Sequence, residues 1–144
     1  MSEVFSVIVT FCGHREIVNR DELRDKLNAA IIGLISEGAD TFYLGGYGAF
    51  DSLANEVLHE LKDQYHIHTS LVLPYLDRDY LTDIYDDTIY PPLESVPRRF
   101  AISRRNEWMV DQADVVVAYV KHGWGGAAAT LRYAERKKKR IVEI

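Results

Sequence analysis

A single cysteine in 144 residues, Cys12, rules out an internal disulfide, and no Cys/His spacing of the zinc type accompanies it. The chain reads as a protein of reducing surroundings with no structural metal, and Cys12 as a buried strand-end thiol. Apolar runs are short and interrupted, which argues against a membrane span, and Met1-Ser2-Glu3-Val4 lacks the basic and apolar regions of a secretion signal. The expected location is the cytoplasm. Positive charge is also short, with 17 Lys+Arg against 22 Asp+Glu and a net charge of −5. General attraction to a nucleic-acid backbone is therefore not expected, and nucleic acid is set aside as a partner, although a local basic patch stays open. With no repeat, no low-complexity linker and 47% hydrophobic residues, the chain suits one globular domain spanning 1–144.

Val4 to Phe11 is nearly continuous apolar and β-branched sequence, as in a central parallel strand buried on both faces. Leu23, Leu27, Ile31, Leu34 and Ile35 follow at helical spacing, with Asn19 as N-cap, Asp21 and Glu22 in the first turn and Gly38 closing the helix. Thr41 to Leu44 forms a second strand, and Leu53, Ala54, Val57, Leu58 and Leu61 one face of a second helix capped by Asp51 or Ser52. Ile67 to Leu73 forms a third strand, stopped by Pro74. Tyr75 to Pro97, crowded with Asp and Tyr, reads as a partly helical excursion with a short helix near Asp79 to Asp86. Arg98 to Ala113 is helical, Val115 to Val120 a fourth strand, Ala127 to about Lys138 an alanine-rich helix, and Arg140 to Ile144 a last strand. Strand and helix alternate, so an α/β fold with a mainly parallel sheet of about five strands is expected.

Ligands bind such sheets beyond the carboxyl ends of the strands. Three unusual loops fall on that rim. Gly13-His14-Arg15 follows the first strand and offers charged donors. Gly45-Gly46-Tyr47-Gly48-Ala49-Phe50-Asp51 follows the second, with three glycines in four positions that need either φ > 0 or the close approach of another group. A Gly-x-Gly-x-x-Gly fingerprint fails there, because Asp51 stands where the third glycine belongs. A carboxylate at that point repels phosphate, so Asp51 reads either as an acceptor for ribose hydroxyls or as a plain helix cap. Gly123-Trp124-Gly125-Gly126 follows the fourth strand and opens a helix with free backbone N–H groups, the Thr130 hydroxyl and no local carboxylate. It is the better phosphate site. Arg105 shares a helix face with Met109 and would stand at the edge of the cleft, while Arg104 would pair with Glu107 or Asp111. The run Arg136 to Arg140 reads as a solvated basic helix end.

These residues, namely Gly13-His14-Arg15, Gly46 to Asp51 with Glu56, Arg105-Asn106 with Met109-Val110-Asp111, and Gly125-Gly126 with Thr130 and Arg132-Tyr133-Ala134, resemble the YpsA-like branch of the SLOG superfamily, which joins the Smf/DprA and LOG proteins. The resemblance implies a single Rossmann-like domain with helices on both faces that binds nucleotides or nucleotide-derived, ADP-ribose-like ligands, often as a sensor and as a homodimer or larger assembly. It implies no separate cofactor, the nucleotide being the ligand. Ligand contacts are expected at Gly13, His14, Arg15, Gly45, Gly46, Tyr47, Gly48, Phe50, Asp51, Arg105, Asn106, Gly125, Gly126 and Thr130. The phosphoribohydrolase-like LOG proteins carry Arg-Lys-x-x-Met and Gly-Gly-x-Gly-Thr-x-x-Glu. Here Arg105 and Met109 fit the first, with Asn106 in place of the lysine, and Tyr133 stands where the second needs its acid. Glu135 is two positions further, on another helical face. The departure favours a binding domain over LOG-type catalysis. The alternative is an N-glycosidic hydrolase in which Arg105 assists and Asp51 or Glu56 is the acid/base.

Overall fold

Alternation of strand and helix along the chain produces a doubly wound sheet in the computed structural model, which describes residues 6–144. Val4 and Phe5 of the expected first strand lie outside the described residues. The elements are β1 (Ile8–Gly13), α1 (Arg20–Ser36), β2 (Thr41–Leu44), α2 (Gly48–Leu61), β3 (His68–Val72), β4 (Asp87–Ile89), a 3₁₀ turn (Arg98–Phe100), α3 (Ala101–Gln112), β5 (Val115–Tyr119), α4 (Gly125–Arg136) and β6 (Arg140–Glu143). All six strands are parallel, in the order β4-β3-β2-β1-β5-β6.

The sheet therefore has one strand more than the five expected. The extra strand, β4, lies in the segment read as a helical excursion, and no helix forms over Asp79 to Asp86. Asp-Thr-Ile has no apolar run because β4 is a three-residue edge strand with little to bury. Its neighbourhood is held by polar contacts instead: the Asp86 carboxylate accepts the Thr69 amide at 2.8 Å and pairs with Lys62 at 2.8 Å.

Side chains of β1 alternate between two cores. Val9 and Phe11 join Leu27, Ile31, Phe42, Phe50 and Leu53 beneath α1 and α2, while Cys12 joins Val110, Val116 and Ala134 beneath α3 and α4. Each fully buried Leu, Ile or Phe contributes roughly 1.5–3 kcal/mol, so the larger cluster under α1 and α2 supplies most of the anchoring. Burial pushes the Cys12 thiol up to about 12, as suits a strand-end thiol packed in that second core.

Helix α1 starts directly after Asn19 as expected, whereas its capping and the starts of α2 and α4 differ from the sequence reading. Asn19 precedes α1 in the left-handed region (φ 51°) with no side-chain cap, and its carbonyl rather than its amide side chain takes the Leu23 N–H. The second helix starts at Gly48, so Asp51 sits inside its first turn instead of capping it, and α4 starts at Gly125 rather than Ala127. Gly38 closes α1 at φ +112°, as expected of a left-handed helix end.

Gly13 ends β1 under the ring of Phe50, where an added Cβ would lie 2.1 Å from Phe50 Cδ2. By contrast, a Cβ on Gly126 in α4 would meet nothing within 4 Å. Urea titration is expected to show Gly13→Ala destabilised by about 1–3 kcal/mol through overpacking. Gly126→Ala should be unchanged or stabilised by about 0.5–1 kcal/mol, the usual helix-interior gain. Equal effects at the two sites would contradict this packing.

Candidate ligand-binding site

The strand order places the rim of interest. From β1 the chain moves outward through β2, β3 and β4, then returns to the opposite side of β1 as β5. The loops after β1 and β5 thus leave neighbouring strands in opposite directions, and the crevice between them is where open α/β sheets take ligands. The glycine loop after β2 borders it.

That glycine loop is organised from inside. Asp51 is 9% exposed, and its Oδ2 accepts the amides of Gly45 (2.8 Å), Gly46 (2.6 Å) and Tyr47 (3.3 Å). From below, Arg105, 1% exposed, donates through Nη1 to the carbonyls of Gly45 (3.0 Å) and Val72 (2.7 Å), and through Nε to Asn106 Oδ1 (2.9 Å). Burial pushes the Asp51 carboxyl up, while the Arg105 guanidinium and the three amides pull it back. Burial likewise pulls Arg105 down, and Asp51 opposes that shift. Each charge is the other's compensation in a desolvated place. Tyr85 lies alongside, its hydroxyl pushed up to about 12 by burial and by Asp51.

Close packing accounts for every glycine of this loop. A Cβ on Gly45 would lie 3.0 Å from the Arg105 guanidinium, one on Gly46 (φ +71°) 2.7 Å from Leu71, and one on Gly48 (φ +88°) 2.8 Å from the Arg15 Cα. Arg15 also fixes the loop through its carbonyl, which accepts the Ala49 amide at 2.8 Å.

The second glycine loop is the opposite case. Gly123 and Gly126 have ordinary backbone angles and nothing within 4 Å of an added Cβ, and Gly125 needs glycine for its φ of +91° alone. Helix α4 begins here with no side-chain cap and no acidic residue in its first turn, so its leading N–H groups point outward unpaired. Beside it, His14 Nε2 accepts the Lys121 amide at 2.7 Å. The His14 ring stacks on His122, and His122 on Trp124, each at a 3.9 Å centroid separation.

The expected site residues divide accordingly. His14, Arg15, Tyr47, Gly125 and Gly126 lie on the rim. Gly13 and Phe50 are core partners of each other. Gly45, Gly46 and Gly48 serve the packing of their own loop. Several expectations change. Arg105 is buried rather than at the cleft edge, because the face it shares with Met109 is the apolar, docked one. Asp51 is turned inward onto amides rather than outward to ribose, and Asn106 holds Arg105. Thr130 Oγ1 donates to the Gly126 carbonyl at 2.9 Å, so its proton is spent within α4. Glu56 is exposed and ion-paired with Arg20, which leaves neither Asp51 nor Glu56 as a free carboxylate on the rim. Asp111 accepts Tyr133 Oη at 2.8 Å rather than pairing with Arg104. The sequence marks His122 only by its place between the fourth strand and a glycine cluster. Among the described residues, no three His, Cys, Asp or Glu side chains gather as metal ligands do, and no helix is long and apolar enough to cross a membrane.

Removal of the buried carboxylate by Asp51→Ala should cost about 3 kcal/mol or more in urea titration, since it strands buried amides and the Arg105 charge; a loss below about 1 kcal/mol would contradict that role. His14 gives a pH signature. Burial, then His122 and Lys121, hold it below the ordinary histidine range. The neutral ring is thus the folded form, and its stabilisation is full above pH about 6.5 and declines as the pH falls below that value. Stability measured from pH 7.5 down to pH 5 should fall less steeply in His14→Asn than in the parent chain; equal slopes would contradict it.

No family model and no curated protein matches the chain. Solved structures do match its fold. The structural-genomics protein TM1055 is 20% identical over 94% of this chain and 72% of its own, with a TM-score of 0.65. The Chlamydomonas reinhardtii molybdenum cofactor carrier protein is 20% identical over 96% of this chain and 76% of its own, with a TM-score of 0.64. Helicobacter pylori DNA processing protein A, which binds single-stranded DNA, is 18% identical, with a TM-score of 0.66; the match covers 95% of this chain and 64% of that protein. The last match overturns the expectation against nucleic acid as a partner. A net charge of −5 averages over the whole surface and says little about local groups such as Arg78 and Arg98, which lie 4.6 Å and 4.3 Å from the centre of the Tyr75 ring. At these identities the likeness carries the fold and does not single out the YpsA-like branch. The fold that the motifs resemble, that of the Smf/DprA/LOG proteins, is the fold of this chain.

Proposed function

We propose that the chain is a binding domain for a nucleotide or nucleotide-derived, ADP-ribose-like ligand, with the phosphate at the start of α4. The observation that carries this reading is the contrast between the two glycine loops. Amides of Gly45 to Tyr47 are consumed by Asp51, whereas Gly123 and Gly126 have open space at a switch-point rim and α4 has no cap of its own. Glycine within a helix costs about 0.5–1 kcal/mol relative to alanine, and no internal contact of Gly126 explains that cost. An anion approaching the backbone does. Arg15 is exposed, and its Cζ lies 5.6 Å from the centre of the half-exposed Tyr47 ring. It supplies a side-chain cation on the facing loop, and Tyr47 a surface for the sugar.

Gly126→Asp tests this with two readouts of opposite sign. A carboxylate in the first turn complements the helix dipole, so the melting temperature without ligand should hold or rise slightly. The same charge repels a phosphate, and calorimetric affinity for AMP, NAD, ADP-ribose or cyclic nucleotides should fall about tenfold, equivalent to about 1.4 kcal/mol. Binding unchanged by Gly126→Asp, or no heat from any of these compounds, would contradict the reading.

A further inference from the structure

His122 is held between two rings. Its centroid is 3.9 Å from that of His14 and 3.9 Å from that of Trp124, and each pair lies within 16° of parallel. Two rings so close to a third occupy its opposite faces, which makes Trp124 the last ring of a three-membered column. The column is fixed at its base, where His14 Nε2 accepts the Lys121 amide and the Tyr119 ring meets His14 edge-on at 5.8 Å and 75°. Stacking rather than hydrogen bonding places His122, whose buried Nδ1 has no partner among the described residues.

The outer end of the column is open. Trp124 is 72% exposed, and among the described residues no ring other than His122 stacks on it. Gly123 precedes it and Gly125 follows it, with nothing within 4 Å of an added Cβ at either. An indole left this bare gains nothing for the fold from its outer face. Its orientation is already set by His122, so a planar partner would not have to order it on binding.

We propose that the outer face of Trp124 is the platform on which the heteroaromatic ring of the ligand stacks, as the fourth ring of the column. The proposal rests on the nucleotide reading above and adds which residue holds the base. Trp124 immediately precedes the α4 N–H groups, so one mononucleotide can place its ring on the indole and its phosphate at the helix start. Ring stacking tolerates any flat π-face, so recognition here favours a planar heterocycle over a bare sugar phosphate, and purine over no base at all.

Two tryptophans make the test direct, because Trp108→Phe leaves Trp124 as the sole indole. In that background AMP and adenosine should quench the emission, and ribose 5-phosphate should not. By calorimetry on the otherwise unaltered chain, Trp124→Ala should weaken AMP binding about tenfold or more, in line with the usual loss of a base–aromatic stack, and Trp124→Tyr should restore most of it. Full AMP affinity in Trp124→Ala, or ribose 5-phosphate binding as tightly as AMP, overturns the platform while leaving the nucleotide site intact. No heat from AMP, NAD, ADP-ribose or cyclic nucleotides removes both. Should Trp108→Phe fail to fold, as judged by circular dichroism, the calorimetry of the Trp124 variants decides alone.

Discussion

The architecture of the rim depends on one buried arrangement, the Asp51 carboxylate under the amides of Gly45, Gly46 and Tyr47 with the Arg105 guanidinium beneath. An ionised carboxylate and a guanidinium taken out of water are tolerated only if each is compensated. Here the carboxylate is compensated by backbone donors as much as by the cation. The consequence is geometric. Three N–H groups that could have faced a ligand face inward, and the loop becomes a rigid wall between β2 and α2. Its glycines follow from that wall, since the Arg105 group, Leu71 and the Arg15 backbone leave no room for a Cβ.

The two glycine-rich loops therefore divide their work. One is closed and builds the fold, tying β2, β3 and α3 together through Arg105 and its bonds to the Gly45 and Val72 carbonyls. The other is open, lies where the strand order reverses, and presents an uncapped helix start beside a column of rings. The larger hydrophobic cluster under α1 and α2 secures the closed side. On the open side the His14 to Lys121 hydrogen bond joins the loops after β1 and β5.

Much of this was legible in the sequence. Apolar β-branched runs marked β1, β3 and β5, and 3.6-residue spacing marked the helices, because those patterns report burial directly. The edge strand β4 was hidden because Asp87, Thr88 and Ile89 bury too little to leave a pattern. The direction a polar side chain takes is set by the tertiary structure, which is why Asp51 read as either a ribose contact or a helix cap and is instead a loop anchor. Arg105 carried a legible warning: its helical spacing to Met109 placed it on the docked face, and burial of a cation was the less ordinary consequence. The carboxylate at 51 argued against Gly45-Gly46 as an anion cradle, and its bonds to the amides of Gly45, Gly46 and Tyr47 show those donors already taken. The ring column could not be read, because His14 and His122 are 108 residues apart in the chain and meet only through the pairing of β1 with β5.

The most direct measurement of the central claim is a map of backbone amide chemical shifts during titration with AMP. The amides of Gly123, Gly125, Gly126 and Ala127 should move together with the Trp124 indole N–H, while those of Gly45, Gly46 and Tyr47 stay fixed under Asp51. Movement concentrated in Gly45 to Tyr47, with Gly125 and Gly126 unmoved, would contradict it.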